Sequence, residues 1–499
     1  MAPKNIFPEK LPLFLILAVS SLLTLWGLLW GLPLKKAHID EAVVVFYSLR
    51  FLTGDLNPHV FFDYPTLYPY MLGTLYFAYF LIGKLFGIFQ NMDSFIGIYL
   101  SGNASAFYII GRLLSAAFGT GSVYLVYRLG KENFAGGGLL PALAMALIPI
   151  SVLYGHYAMV DTTCVFFLLA SFLFFSRHFK DGKTPDLYKG SFLMGLGIAA
   201  KYYPAVFFIP VLVYLLAVKK YHRALASAGL VLAGFIAGCP FALIDFQAFY
   251  SRFADRFNYI VWGPAGGGSV PSANLIIFVK TFADVFKPAL LLLLIAGIVF
   301  YILKNRNTGK LLLWIICPAL YIAFLLTWKI VSPHYFLPVI PFLLLAGISG
   351  LDSDKYGRII RTAIIIACLF PAYQSVKTDI LLSKEDTRLT ALKWMRTNIE
   401  PGSNILRMPN TPEFTVTDPY IVMVDWEGKL AGAPAEKISS EFEYVLTSRF
   451  SNGPAPEWEN SLLKYFAIEK EWEWIPLAPF HHPRITLYRK HKKGPADER

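Results

Sequence analysis

Charged residues are scarce in this sequence: Asp, Glu, Lys and Arg make up 16% of 499 residues, and the mean hydropathy is +0.52. That balance excludes an ordinary soluble domain and points to a chain that crosses a membrane several times. Cysteine is scarce too. The four present, Cys164, Cys239, Cys317 and Cys368, all fall inside apolar runs, so they imply no disulfide framework, and their spacing suggests no metal site. No Walker sequence, His-Glu-x-x-His or Gly-x-Ser-x-Gly pattern occurs, and there is no internal repeat or low-complexity tract.

What charge there is lies unevenly. Residues 379–499 hold 16 Lys and Arg against 18 Asp and Glu, which leaves 29 against 15 for residues 1–378. The excess of basic residues belongs to the apolar part, where it reads as orientation in the bilayer and contact with anionic membrane lipid. Nucleic acid is not an expected partner, since binding it would need a basic face on a soluble domain.

Lys4 and Lys10 precede the run Leu11–Leu32, which is too long for a signal-peptide core and lacks a cleavage pattern. It reads as a first span with the N-terminus in the cytoplasm. Residues 34–103 then form a first outer loop. Within it, Leu67–Phe89 is expected as a juxtamembrane or re-entrant helix, because counting it as a span would put Arg128 and Lys131 outside. Further spans are expected over Ala104–Leu129, Gly138–Tyr154, Val160–Ser176, Ala224–Ile244, Ala289–Leu303, Leu311–Thr327, Tyr335–Gly350 and Thr362–Val376. Gly190–Val218 has Lys201 as its only charge and lies between basic loops, so it must go out and return as two short spans turning at Lys201. The total is about eleven spans.

Asp245–Lys287 reads as an aromatic outer loop made mobile by Gly263-Pro264-Ala265-Gly266-Gly267-Gly268. From Ser383 the composition is that of a soluble domain. Ser383-Lys384-Glu385-Asp386 suggests a capping box, short apolar runs at Ile405–Met408, Tyr420–Val424, Tyr444–Thr447 and Ile485–Tyr488 suggest strands, and Asn460–Phe466 suggests a helix. The expected architecture is a polytopic α-helical membrane domain over 1–378 and a small extracytoplasmic α/β domain over 379–499, in a plasma or inner membrane.

Chemistry is sought where charge is costly. Asp40-Glu41 follows the first span directly; two carboxylates there either cap the next helix or work at the outer surface. Asp161, in Tyr154-Gly155-His156-Tyr157-Ala158-Met159-Val160-Asp161, is a helix N-cap or a second acid on that face. Arg112 and Lys201 are cations at membrane depth, which either snorkel to the interface or hold a lipid phosphate. His334 and Tyr335 stand at the mouth of a late span. His59, Asp63 and Tyr64 lie in the Pro-rich first outer loop, as a rigid aromatic connection or a substrate surface. Asn103-Ala104-Ser105 matches a glycosylation sequon by pattern, but it abuts a span.

In order, the Asp40-Glu41 pair, the Pro-rich loop, Gly111-Arg112-Leu113-Leu114-Ser115-Ala116, Asp161, Ala200-Lys201-Tyr202 and His334-Tyr335-Phe336-Leu337-Pro338-Val339-Ile340-Pro341 resemble the GT-C membrane glycosyltransferases. The branch is that of protein O-mannosyltransferases (glycosyltransferase family 39) and lipid A aminoarabinose transferases. The resemblance spans residues 11–350. It implies inverting transfer of a sugar from a dolichyl- or undecaprenyl-type phosphate donor to a protein, lipid or glycan hydroxyl at the outer face. Asp40 matches the family's first-loop aspartate, associated with acceptor activation, and Glu41 completes its pair; Arg112 and Asp161 match positions near that site. Where the aminoarabinose branch has Glu-Lys-Pro, this sequence has Asp63-Tyr64-Pro65, so Lys201 or Arg112 takes the phosphate role. No cofactor is required by the sequence; a divalent metal on Asp40, Glu41 or Asp161 is possible in the wider fold class. The rival classes are a lipid-linked-sugar transporter or flippase and a non-catalytic membrane scaffold.

Overall fold

A computed structural model describes residues 10–101, 104–263, 271–351, 356–415, 417–425, 433–477 and 481–491. The sequon residue Asn103 and most of the Gly-rich stretch at 264–270 lie outside them. The chain forms two compact units, one from Met1–Trp26, Val44–Met92 and Ile109–Asp379, the other from Gly27–Val43, Asp93–Tyr108 and Ile380–Arg499.

Among the described residues, the elements of the larger unit are all helices. It opens with α1 (Lys10–Leu25), continues with most of α2 (Ile39–Arg50) and α3 (Leu67–Leu85), and α4 (Met92–Leu100) begins at its border. Then come α5 (Ser105–Asn133), α6 (Leu139–Leu147), α7 (Pro149–Gly155), α8 (Asp161–Asp181) and α9 (Thr184–Ala200). The expected span over Gly138–Tyr154 is two short helices, because Pro149 has no amide to continue α6 and holds Ile148 extended. Gly182, at φ 72°, ends α8 with its amide on the His178 carbonyl.

Beyond Lys201, a 3-10 turn (Tyr203–Phe208) and α10 (Ile209–Ala217) lead to α11 (Tyr221–Gly238) and the one-turn α12 (Phe241–Ile244). The described residues of the stretch expected as an outer loop over Asp245–Lys287 are mostly helical: α13 (Phe246–Trp262) and the first half of α14 (Pro271–Lys304). Asp245 caps α13 by accepting from the Ala248 amide, and the aromatic residues repeat at helical spacing, so Phe249, Phe253 and Phe257 stack in a row. α14 is broken at Lys287 (φ 60°), ahead of Pro288. α15 (Thr308–Leu311), a π turn (Leu312–Ile316), α16 (Cys317–Leu326), α17 (Ile340–Gly350) and α18 (Gly357–Leu382) complete the unit.

Among the described residues, five stretches are long and apolar enough to cross a membrane: Ser105–Asn133, Asp161–Asp181, Asn274–Lys304, Thr308–Leu326 and Gly357–Asn398. The protein is a multi-pass, α-helical integral membrane protein. The first helix stops at Leu25 rather than Leu32, and its 16 residues rise about 24 Å. The bundle closes around aromatic contacts, with Phe172 and Phe207 centred 4.7 and 5.2 Å from Phe342. Glycine sets how near the helices come: a Cβ at Gly195 on α9 would sit 2.1 Å from the Val231 carbonyl of α11.

The smaller unit is a five-stranded mixed sheet, β1 (Asn404–Arg407), β2 (Ile421–Val424), β3 (Tyr444–Arg449), β4 (Phe466–Trp472) and β5 (Arg484–Lys490), in the order β2-β1-β3-β5-β4. β1 pairs parallel with β2 and β3, and β5 pairs antiparallel with β3 and β4. Alternation places Ile405, Leu446 and Leu487 against α19 (Thr387–Asn398), and Leu406, Val445 and Tyr488 on the other face with α20 (Ala435–Glu441) and α21 (Glu457–Leu462). The cap of α19 is Asp386, not Ser383, and its carboxylate also takes Arg388. The helix expected at Asn460–Phe466 starts earlier, at Glu457, and Phe466 opens β4, whose Glu469-Lys470-Glu471 hid it as a strand.

This unit also recruits the stretch after α1. The Lys35 and Lys36 amides donate to the Glu413 carboxylate at 3.0 and 2.8 Å, and Arg388 donates to the Ala37 carbonyl at 3.3 Å.

Candidate active site

Asp161 and Lys201 come from different helices and meet. Asp161 is the first residue of α8, with Val160 in the capping position, so its carboxylate is not spent as an N-cap. Lys201 follows α9 in extended conformation (φ −155°). Its Nζ lies 2.6 Å from Asp161 Oδ1, with both side chains almost fully buried. The Tyr203 and Tyr335 rings face the ammonium with centroids at 5.6 and 5.2 Å. Tyr335 is held by Tyr321, whose hydroxyl donates to its carbonyl at 2.9 Å. His334 packs on Tyr154 with centroids 5.2 Å apart.

The connection into Asp161 is pinned. His156 bonds the Val152 and Trp26 carbonyls at 2.9 and 2.6 Å, and Ser115 on α5 donates to the Met159 carbonyl at 3.2 Å. Gly111 lets α5 approach closely here, since a Cβ would fall 2.6 Å from that of Ala158. Arg112, next to it, is fully buried.

The Pro-rich loop residues have structural partners. His59 and Arg50 both pair with Asp55, at 2.8 and 2.5 Å. Asp63 pairs with Arg252 of α13 at 3.3 Å, and Asn57 donates to Asp245 at 2.8 Å. Tyr64 sits edge-on to Phe61. Asp40 and Glu41 occupy the first turn of α2, in the other unit, where negative charge suits a helix N-terminus. The two differ: Glu41 is fully buried, whereas Asp40 is half-buried and makes no hydrogen bond or ion pair among the described residues. Among the described residues no three His, Cys, Asp or Glu side chains gather to hold a metal ion.

One residue escaped sequence reasoning. Arg256, one turn beyond Arg252 on α13, lines a cavity of about 160 Å³ with Tyr202, Tyr203, Phe253, Phe257 and Trp328. Its Nε is buried without a hydrogen-bond partner. Tyr203 belongs both to this cavity and to the cage around Lys201. The signal was the Arg252/Arg256 spacing of four within a run of aromatic residues, which places both cations on one helix face.

Among solved structures, the chain is similar to ArnT from Cupriavidus metallidurans bound to undecaprenyl phosphate, at 13% identity and a TM-score of 0.50, over 96% of this chain and 97% of that one. The chain shares the fold of that structure. The chain is also similar to the Archaeoglobus fulgidus oligosaccharyltransferase in the apo form, at 12% identity and a TM-score of 0.50, over 89% of this chain and 70% of that one. In sequence, the family described as dolichyl-phosphate-mannose-protein mannosyltransferase matches residues 96–244. Two Bacillus subtilis proteins named as candidate mannosyltransferases also match. YycA is 38% identical over 105 residues and YkcB 32% over 143; these stretches are 20% and 27% of this chain, and only 15% and 20% of the relatives' own lengths.

Proposed function

We propose that the protein is an inverting glycosyltransferase that moves a sugar from a polyprenyl-phosphate donor to an acceptor hydroxyl at the outer face of the membrane. The observation that carries this reading is Arg256: a guanidinium with an unpaired, buried Nε, set in an aromatic-lined cavity. A lipid phosphate supplies what that group lacks, and the aromatic wall suits the prenyl chain. Lys201 is already matched by Asp161, so the pair is a neutral support for the cavity wall at Tyr203 rather than the main phosphate contact.

Asp40 is the general base. Its carboxylate takes the acceptor proton as the hydroxyl oxygen bonds to the anomeric carbon, the bond from that carbon to the phosphate oxygen breaks, and the lipid phosphate leaves with the electron pair. Glu41, buried beside it in sequence, orients the helix start. The same reading takes about eleven spans, a cytoplasmic N-terminus and an extracytoplasmic smaller unit, supported by the basic excess of residues 1–378. The likeness to ArnT, whose structure holds undecaprenyl phosphate, supports the donor class, and the match to a dolichyl-phosphate-mannose family supports mannose as the first sugar to try.

The test is transfer from a radiolabelled polyprenyl-phosphate sugar by purified protein, with protein, lipid and glycan acceptors offered in turn. Wild type transfers to one of them, and Asp40→Asn loses activity by roughly 10²–10⁴-fold. Undiminished transfer by Asp40→Asn sinks the base assignment; no transfer to any acceptor sinks the enzyme.

A further inference from the structure

The opposite ends of α5 and α8 from Arg112 and Asp161 enclose a second cavity, of about 390 Å³. It is lined by charge of both signs: Glu132, Asp181 and Asp186 with Arg177, Lys180 and Lys183. Glu132 is saturated, taking Arg177 through both oxygens at 2.7 and 2.8 Å and Arg128 at 2.6 Å. The remaining four are loosely held. Lys183 is 3.9 Å from Asp181, Lys180 reaches only the Glu132 carbonyl at 3.3 Å, and Asp186 makes no hydrogen bond or ion pair among the described residues. Two cations and two carboxylates thus line one cavity with unfilled valences.

Both α5 and α8 are long, apolar stretches of membrane-spanning character, and both end here. Arg177 and Lys189 lie over the Phe174 ring, at 5.2 and 5.7 Å from its centroid, the pairing of cation and aromatic found where a bilayer meets water. We infer that this cavity binds the headgroup of a phospholipid carrying a primary ammonium, the phosphate meeting Lys180 and Lys183 and the ammonium meeting Asp181 and Asp186. The site reads the ammonium protons: a choline headgroup has none to donate, and a glycerol headgroup leaves the two carboxylates facing a phosphate without a cation.

The experiment is native mass spectrometry of the full chain released from detergent with palmitoyl-oleoyl phosphatidylethanolamine, phosphatidylcholine or phosphatidylglycerol. Phosphatidylethanolamine is expected to remain bound at about tenfold lower concentration than the other two. The double variant Lys180→Gln/Asp186→Asn is expected to bring it to the level of phosphatidylcholine. Should that variant unfold, the single exposed change Lys183→Gln is expected to halve the preference or more. Equal binding of ethanolamine and choline lipids, stronger binding of phosphatidylglycerol, or a preference that survives every variant overturns the site. Displacement by soluble glycerophosphoethanolamine at the lipid's own concentration overturns the assignment to a lipid.

Discussion

Lys201 Nζ and Asp161 Oδ1 lie 2.6 Å apart, buried, at the point where α9 ends and α8 begins. Neither charge tolerates the loss of the other, since an unpaired ion at that depth has neither water nor counter-charge. Asp161→Asn or Lys201→Met alone is therefore expected to destabilise the protein by about 3–5 kcal/mol, and Asp161→Leu/Lys201→Met to recover most of it. Thermal unfolding in detergent measures this. If the double variant is stable and still transfers sugar, the pair is support alone; if it is stable and inactive, one of the two also touches substrate.

Arg256→Gln keeps the length of the side chain and removes its charge. With a charge-assisted contact to phosphate lost, KM for the lipid donor is expected to rise by roughly 10–100-fold, with kcat changed much less. Arg252→Gln is the control on the same helix face: its partner Asp63 is a half-exposed ion pair, and a change of under about threefold is expected. Equal effects of the two variants on KM would remove Arg256 from the donor site.

Acid weakens the smaller unit in two separable steps. Burial holds His482 below its ordinary value of 6.5, against the opposing pull of Asp386. The unfolded chain takes that proton near pH 6.5 while the folded one does not, so stability is full above 6.5 and falls as pH drops through the folded value. The slope is at most about 1.4 kcal/mol per pH unit, and His482→Gln is expected to flatten it. Burial alone would raise Asp386, but the Arg388 guanidinium outweighs it and holds the carboxyl below its usual 3.8. Its contribution is thus present above pH 3.8 and lost only below it. Hydrogen exchange on β3 and β5 across pH 3–8 reads both steps; a wild-type slope unchanged by His482→Gln would place the first elsewhere.

The membrane character, the helix end at Lys201 and most of the strands were legible because each leaves a local mark: an apolar run, a lone charge, a short β-branched stretch. The Asp161–Lys201 meeting was expected only as a shared face. Its geometry depends on α8 and α9 packing side by side, with Gly190 against the Ser171 carbonyl, which no single stretch encodes. The helix over Phe246–Trp262 was missed because glycine at its end and aromatic residues along it suggested a loop, while the meaning of that row lay in its period. With it went Arg256, which has no motif and is distinguished only by what surrounds it. β4 was hidden for a simpler reason: strand β4 is largely exposed, so it carries charge where buried strands carry valine.

The bond from the Lys35 amide to Glu413 joins residues 378 positions apart. At ribosomal rates the acceptor emerges on the order of tens of seconds after the donor. Throughout that time the stretch after α1 has been made without the sheet it belongs to, while the intervening helices are still being synthesised. The smaller unit is therefore the last part of the molecule able to finish folding, and a nascent chain arrested anywhere before residue 413 holds residues 27–43 as an unclaimed segment, open to chaperones and proteases on its side of the membrane.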